Sequence, residues 1–152
     1  MSAKDTVEQL IKALEAQEWQ AAAALLSDDF AEGGTLPGEV QTREDYLAAQ
    51  KAIATAFPDW HYTVSDVQEQ GNTVTLRLAG SGTHTGELVP PIPAMPAIPA
   101  TGKAVTLPAD HAEFMLKDGQ ITALRLDTPL GGGLDGILEQ IGAVPLMEMG
   151  GQ

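Results

Sequence analysis

"FPDWHYTVSDVQEQGNTVTLRLAGSGTH", residues 57–84, is where the hydrophobic period of this chain changes. Trp60, Tyr62 and Val64 fall on one face, and His61, Thr63 and Ser65 on the other. That alternation predicts a half-buried strand. "QGN" at 70–72 predicts a turn. In the next strand Val74, Leu76 and Leu78 face one way, and Thr75 and Arg77 the other. Gly80 and Gly82 mark a bulge or a close backbone approach.

Before this stretch the spacing is helical. Val7, Leu10, Ile11 and Leu14 share a face in "DTVEQLIKALEAQ", residues 5–17. Asp5 is the expected N-cap, with Glu8 three residues on. Trp19, Ala22, Ala23 and Leu26 predict a second helix, ended by Ser27 and Asp28. "AEGGTLPGEV" reads as a loop or short strand. Thr42, with Asp45 three positions later, caps a third helix that Pro58 stops after Phe57.

After this stretch the segments are short and strand-like. "KAVTLP" and "DHAEFML" are followed by the turn "KDGQ" and then "ITALRLD". "ILEQIGAV" predicts a short terminal helix. Between the strands lies a proline-rich stretch, "LVPPIPAMPAIPAT" at 88–101, whose Ile92, Met95 and Ile98 are unusual for a solvated linker. A lid and a partner-binding surface both fit it. Helices followed by four or five antiparallel strands predict an α+β fold, expected as one domain over 1–152. A curved sheet folded over helices encloses a pocket, the default place for a ligand.

Composition removes several functions. The chain has 152 residues, 21 acidic against 8 basic, for a formal net charge of −13. Such a surface repels nucleic acid and anionic membranes. No apolar stretch reaches the length of a bilayer span. "MSAKDTVEQL" does not resemble a signal peptide, so the expected compartment is the cytoplasm. Cysteine is absent, which excludes disulfides, thiol nucleophiles and thiolate metal sites. His61, His84 and His111 lack metal-motif spacing, and no GxSxG, P-loop or GxGxxG occurs.

Five strings occur in order: "FPDWHYTV" (57–64), "GTHTGEL" (82–88), "PATGKAVTLP" (99–108), "FMLKDGQI" (114–121) and "LEQIGA" (138–143). Together they resemble the SnoaL-like polyketide cyclases, or ester cyclases, of the NTF2-like superfamily. The resemblance implies an α+β cone with N-terminal helices on a curved antiparallel sheet, a deep pocket, and neither a metal nor an organic cofactor. It also implies intramolecular aldol chemistry, with a carboxylate as acid and base and a histidine nearby. The proline-rich loop is longer than the family's usual turn. The family's late aspartate falls near Pro129 here, two residues beyond Asp127, which keeps the same strand face. The "LGGGLDG" insertion leaves Asp135 as an alternative.

Asp127 is therefore the first catalytic candidate. Burial among apolar groups would raise its pKa toward neutrality, while Arg125 on the same face would lower it. The competing reading is a strand-end aspartate that starts a turn. The resemblance favours His111 as its partner, although alternation with Phe114 and Leu116 puts His111 on the opposite face. His84 is expected at the pocket mouth or as a backbone-bonded loop residue. His61 is expected toward solvent. Trp60, Tyr62 and Phe114 are candidates for an apolar wall, or for plain core.

The expected function is a cofactor-independent cyclase acting on a hydrophobic ketone or ester. Two alternatives remain. One is an epoxide hydrolase of the same superfamily, drawing on Arg77, Arg125 and Asp127. The other is a non-catalytic carrier of small hydrophobic ligands. An exposed sheet face makes a homodimer the expected assembly.

Overall fold

The computed structural model describes residues 2–33, 40–89 and 96–143. The first helix, α1 (Ala3–Glu15), is capped by Ser2 and not by Asp5. Asp5 stands at the third helical position, where its N–H donates to Ser2 Oγ at 3.1 Å and its carboxylate receives the Ser2 N–H. The pair satisfies two amides that the helix leaves open. Val7, Leu10, Ile11 and Leu14 form the buried stripe.

The second helix, α2 (Trp19–Leu25), ends earlier than its composition suggests, and β1 (Leu26–Gly33) takes over directly. A strand thus occupies the stretch read as a helix end followed by a loop or short strand. Short β2 (Val40–Thr42) leads into α3 (Arg43–Ala56), where Thr42 and Asp45 form the expected capping box. Pro58 follows its end, and the Phe57 N–H closes on the Ile53 carbonyl at 2.7 Å.

The strand half comprises β3 (His61–Gln70), β4 (Thr73–Thr83), β5 (Ala104–Thr106), β6 (Asp110–Lys117) and β7 (Gln120–Asp127), then α4 (Gly133–Gln140). The sheet order is β2-β1-β7-β6-β4-β3, with β5 paired to β4. The sheet is mixed, because β1 runs parallel to β7, and the expectation of a wholly antiparallel sheet is corrected accordingly.

In the proline-rich stretch, Leu88 and Ile98 exchange backbone hydrogen bonds of 2.9 and 2.7 Å, which closes its base. Ile92 and Met95 lie outside the described residues.

Two apolar clusters hold the layers together. The larger joins α1 to the sheet through Leu10, Ile11, Leu14, Leu76, Phe114 and Leu124. The smaller joins Phe57, Leu88 and Val105 to Ile137, Leu138 and Ile141 around α4. Each fully buried Leu or Phe contributes about 1.5–3 kcal/mol relative to its exposed state.

Candidate active site

Residues from both clusters line one cavity of about 970 Å³. That is the upper end of the range for small-molecule sites and large enough for a multi-ring ligand. Leu10, Ile11 and Leu14 line it from α1, Tyr46, Gln50 and Ile53 from α3, and Trp60, Tyr62, Leu78, Phe114, Leu124 and Leu126 from the sheet side. Trp60, Tyr62 and Phe114 are among these lining residues, and Phe114 also belongs to the larger core cluster.

The indole of Trp60 is set by glycine. A Cβ on Gly80 would overlap Trp60 Cζ2, and one on Gly82 would approach Trp60 Cε3 to 3.0 Å. The two glycines of β4 leave a slot that the ring fills. Phe57 and Tyr62 meet the indole edge-on, with centroids 5.2 and 6.2 Å away. Tyr62 donates its hydroxyl proton to Gln50 Oε1 at 2.7 Å, and burial pushes its pKa to about 12.

Of the carboxylates that line this space, Asp135 was an alternative in the sequence and Asp110 was not singled out. On β6, Ala112, Phe114 and Leu116 are buried, and Asp110 shares their parity. It lines the cavity between Leu78 on β4 and Thr128 beyond β7. Burial raises its pKa, a hydrogen bond from the Thr128 hydroxyl opposes that, and the charge of Asp127 adds to the rise. Its Oδ1 is buried with no hydrogen-bond partner among the described residues. An unpaired acceptor of this kind is costly unless something else meets it.

Glu32, on β1, is not among the cavity-lining residues, but it lies near enough to feel the charge of Asp110. Phe30 is buried, Glu32 has the same parity, and Glu32 pairs in register with the cavity-lining Leu124. Burial first, and then the charge of Asp110, raise the Glu32 pKa from 4.5 to about 7. Negative charge on Asp110 favours the protonated form of Glu32. Tyr46, fully inside the same space, has its pKa raised by burial and then by the charges of Tyr62 and Glu32.

Asp127 and His111 are brought together, but outside the cavity. They sit directly opposite each other in the β6–β7 ladder, and both are exposed. Arg77 pairs with His111 from the other side and is held by Asp66 at 3.1 Å, so these three share the outer face. Leu124 and Leu126 line the cavity, and the alternate residues Arg125 and Asp127 point away from it. The expectation that Asp127 projects into the hollow is corrected by this register. Asp135 is on α4 at the cavity rim and is exposed.

His84 is fully buried and stacked on Phe57, with centroids 5.2 Å apart. The Thr101 N–H donates to its Nδ1 at 3.2 Å, so the ring is neutral with its proton on Nε2. Burial lowers its pKa. It ties β4 to the strand returning from the proline-rich stretch and is not among the cavity-lining residues. His61 is exposed and 3.3 Å from Glu15. Among the described residues no three His, Asp or Glu gather as metal ligands, and no helix is long and apolar enough to cross a membrane.

Asp110 was legible in principle. Once Phe114 and Leu116 are taken as inward, parity selects Asp110 and rejects His111. Glu32 carried no comparable signal, because it lies in "AEGGTLPGEV", which reads as a loop or short strand.

Among solved structures, a candidate SnoaL-like polyketide cyclase from Jannaschia sp. CCS1 is 21% identical, covering 94% of this chain and 93% of that one, with a TM-score of 0.71. AclR, a candidate hydroxylase from Streptomyces galilaeus, is 18% identical over 94% and 97% of the two chains, with a TM-score of 0.74. An LEH-like epoxide hydrolase of M. tuberculosis is 15% identical over 92% of each chain, with a TM-score of 0.65. These likenesses show the fold. No curated protein matches the sequence. Residues 4–125 match the SnoaL-like polyketide cyclase family, and the chain belongs to that family.

Proposed function

We propose that this chain is an acid/base enzyme of the cyclase type that acts on a hydrophobic ketone or ester, with Asp110 as the base and Glu32 as the neighbouring acid. The observation that carries this reading is Asp110 in the lining of an apolar cavity, its Oδ1 buried without a partner, with Glu32 on β1 near enough that burial and the Asp110 charge raise its pKa to about 7. A general base or acid is most effective when its pKa lies near the working pH.

In the step, the Asp110 carboxylate takes a proton from the carbon beside a carbonyl. The resulting enolate carbon forms a bond to a second carbonyl carbon of the same molecule. The oxygen of that second carbonyl takes a proton, either back from Asp110 or from Glu32, and a ring alcohol results.

The epoxide-hydrolase alternative needs an arginine beside the carboxylates. Arg77 and Arg125 are both exposed on the outer face, which weakens that reading. The proposal also has the chain acting as a single domain, in the cytoplasm, as a homodimer formed through the outer sheet face, and without a metal or organic cofactor.

Hydrogen–deuterium exchange at the α-carbon of 2-tetralone in D2O, followed by NMR, tests the base without knowledge of the natural substrate. The wild-type chain should accelerate exchange. Asp110→Asn should abolish the acceleration and Asp127→Asn should keep it. Undiminished exchange by Asp110→Asn would remove Asp110 from the mechanism. No acceleration by the wild-type chain would favour the ligand carrier.

A further inference from the structure

The cavity holds carboxylates and no basic partner. None of the eight Lys and Arg side chains lines it, and none of the three histidines does. The segments 34–39, 90–95 and 144–152 contain no Lys, Arg or His, so they cannot supply one. Three of the eight cations are paired with carboxylates outside the cavity. Lys4 pairs with Glu8, Arg43 with Asp28 and Glu44, and Arg77 with Asp66. Asp135 and Glu139 add two more carboxylates to the lining at α4.

We infer that the cavity sorts ligands by charge: it binds hydrophobic amines as ammonium ions, with the nitrogen beside Asp110 against the Trp60 and Tyr62 rings, and excludes carboxylates of the same shape. Three features support this. Asp110 has a buried acceptor oxygen without a partner, which a charged donor would relieve. Trp60 and Tyr62 present aromatic surface, whose faces attract cations. The low-dielectric walls focus the negative field that a chain of net charge −13 already carries. The inference stands on the charge of the cavity and holds whether or not the chain catalyses a reaction.

A bound ammonium ion would also favour the ionised form of Glu32, so binding near pH 7 should release a proton.

The test is calorimetric titration with 2-naphthylmethylamine, 2-naphthylmethanol and 2-naphthoate at pH 7, each in two buffers of different ionisation enthalpy. The amine should bind about tenfold tighter than the alcohol, and the naphthoate about tenfold weaker. Only the amine should show buffer-dependent proton release. Asp110→Asn, checked for folding by its melting curve, should bring amine and alcohol within about twofold of each other. Glu32→Gln should abolish proton release and keep the order of affinities.

Naphthoate binding as tightly as the alcohol would overturn the inference, as would an amine no tighter than the alcohol, or no binding by any of the three. An amine preference that survives Asp110→Asn would overturn the role given to Asp110. The catalytic reading fails separately, if Asp110→Asn still exchanges 2-tetralone protons while the charge order stands.

Discussion

Asp110 and Asp127 have the same side chain, yet the pleat of the sheet places them in different solvents. Asp127 is open to water on the outer face. Asp110 faces the apolar cavity, where ionisation is opposed. Glu32 extends the same argument, since its folded pKa lies above the ordinary 4.5. Between pH 4.5 and about 7 the native state holds a proton that the unfolded chain has released. Stability therefore falls as pH rises through that window, and the full cost is present above it. Glu32→Gln should stabilise the chain by on the order of 2 kcal/mol at pH 8 and leave it unchanged at pH 4, measured by urea unfolding at both values. Equal effects at the two pH values would contradict a raised Glu32.

At the scale of the element, the sequence marked where helices become strands, because period and turn chemistry are local signals. It marked the Thr42–Asp45 cap, and Thr42→Ala should cost about 1 kcal/mol in urea unfolding. It also marked a close approach at Gly80, where the partner is the Trp60 indole. Gly80→Ala should cost about 1–3 kcal/mol and weaken ligand binding as the indole shifts into the cavity, read by a urea midpoint and a titration.

The inward face of β7 was hidden from the sequence. The β6–β7 register shifts between Met115 and Leu116, so Ile121 pairs with Leu116 while Ala123 pairs with Met115. Ile121 and Leu124 are both buried as a result. Strict alternation assigns Ile121 and Asp127 to one face, and the bulge separates them. The Asp118–Gly119 turn that follows β6 has φ of +53° and +79°. Gly119→Ala should therefore destabilise this hairpin by about 1 kcal/mol or more, seen as faster amide exchange in β6 and β7.

At the scale of the whole molecule, the cone and its cavity followed from segregated helices and strands, and the ordered motifs placed the family. The parallel pairing of β1 with β7 did not follow, since β1 lies in a stretch rich in acids and glycine that carries no strand alternation. That pairing is what delivers Glu32 to the inner face beside Leu124. The candidate site is thus assembled from both ends of the chain: β1 brings one acid and β6 the other, and helices close the space above them.

The most direct measurement is a pH titration of the Glu32 side-chain carboxyl by carbon-13 NMR in selectively labelled protein. The expected midpoint is near 7 in the wild-type chain, falling when Asp110→Asn removes the neighbouring charge. A midpoint at the ordinary 4.5, unmoved by Asp110→Asn, would contradict the carboxylate pair on which the account rests.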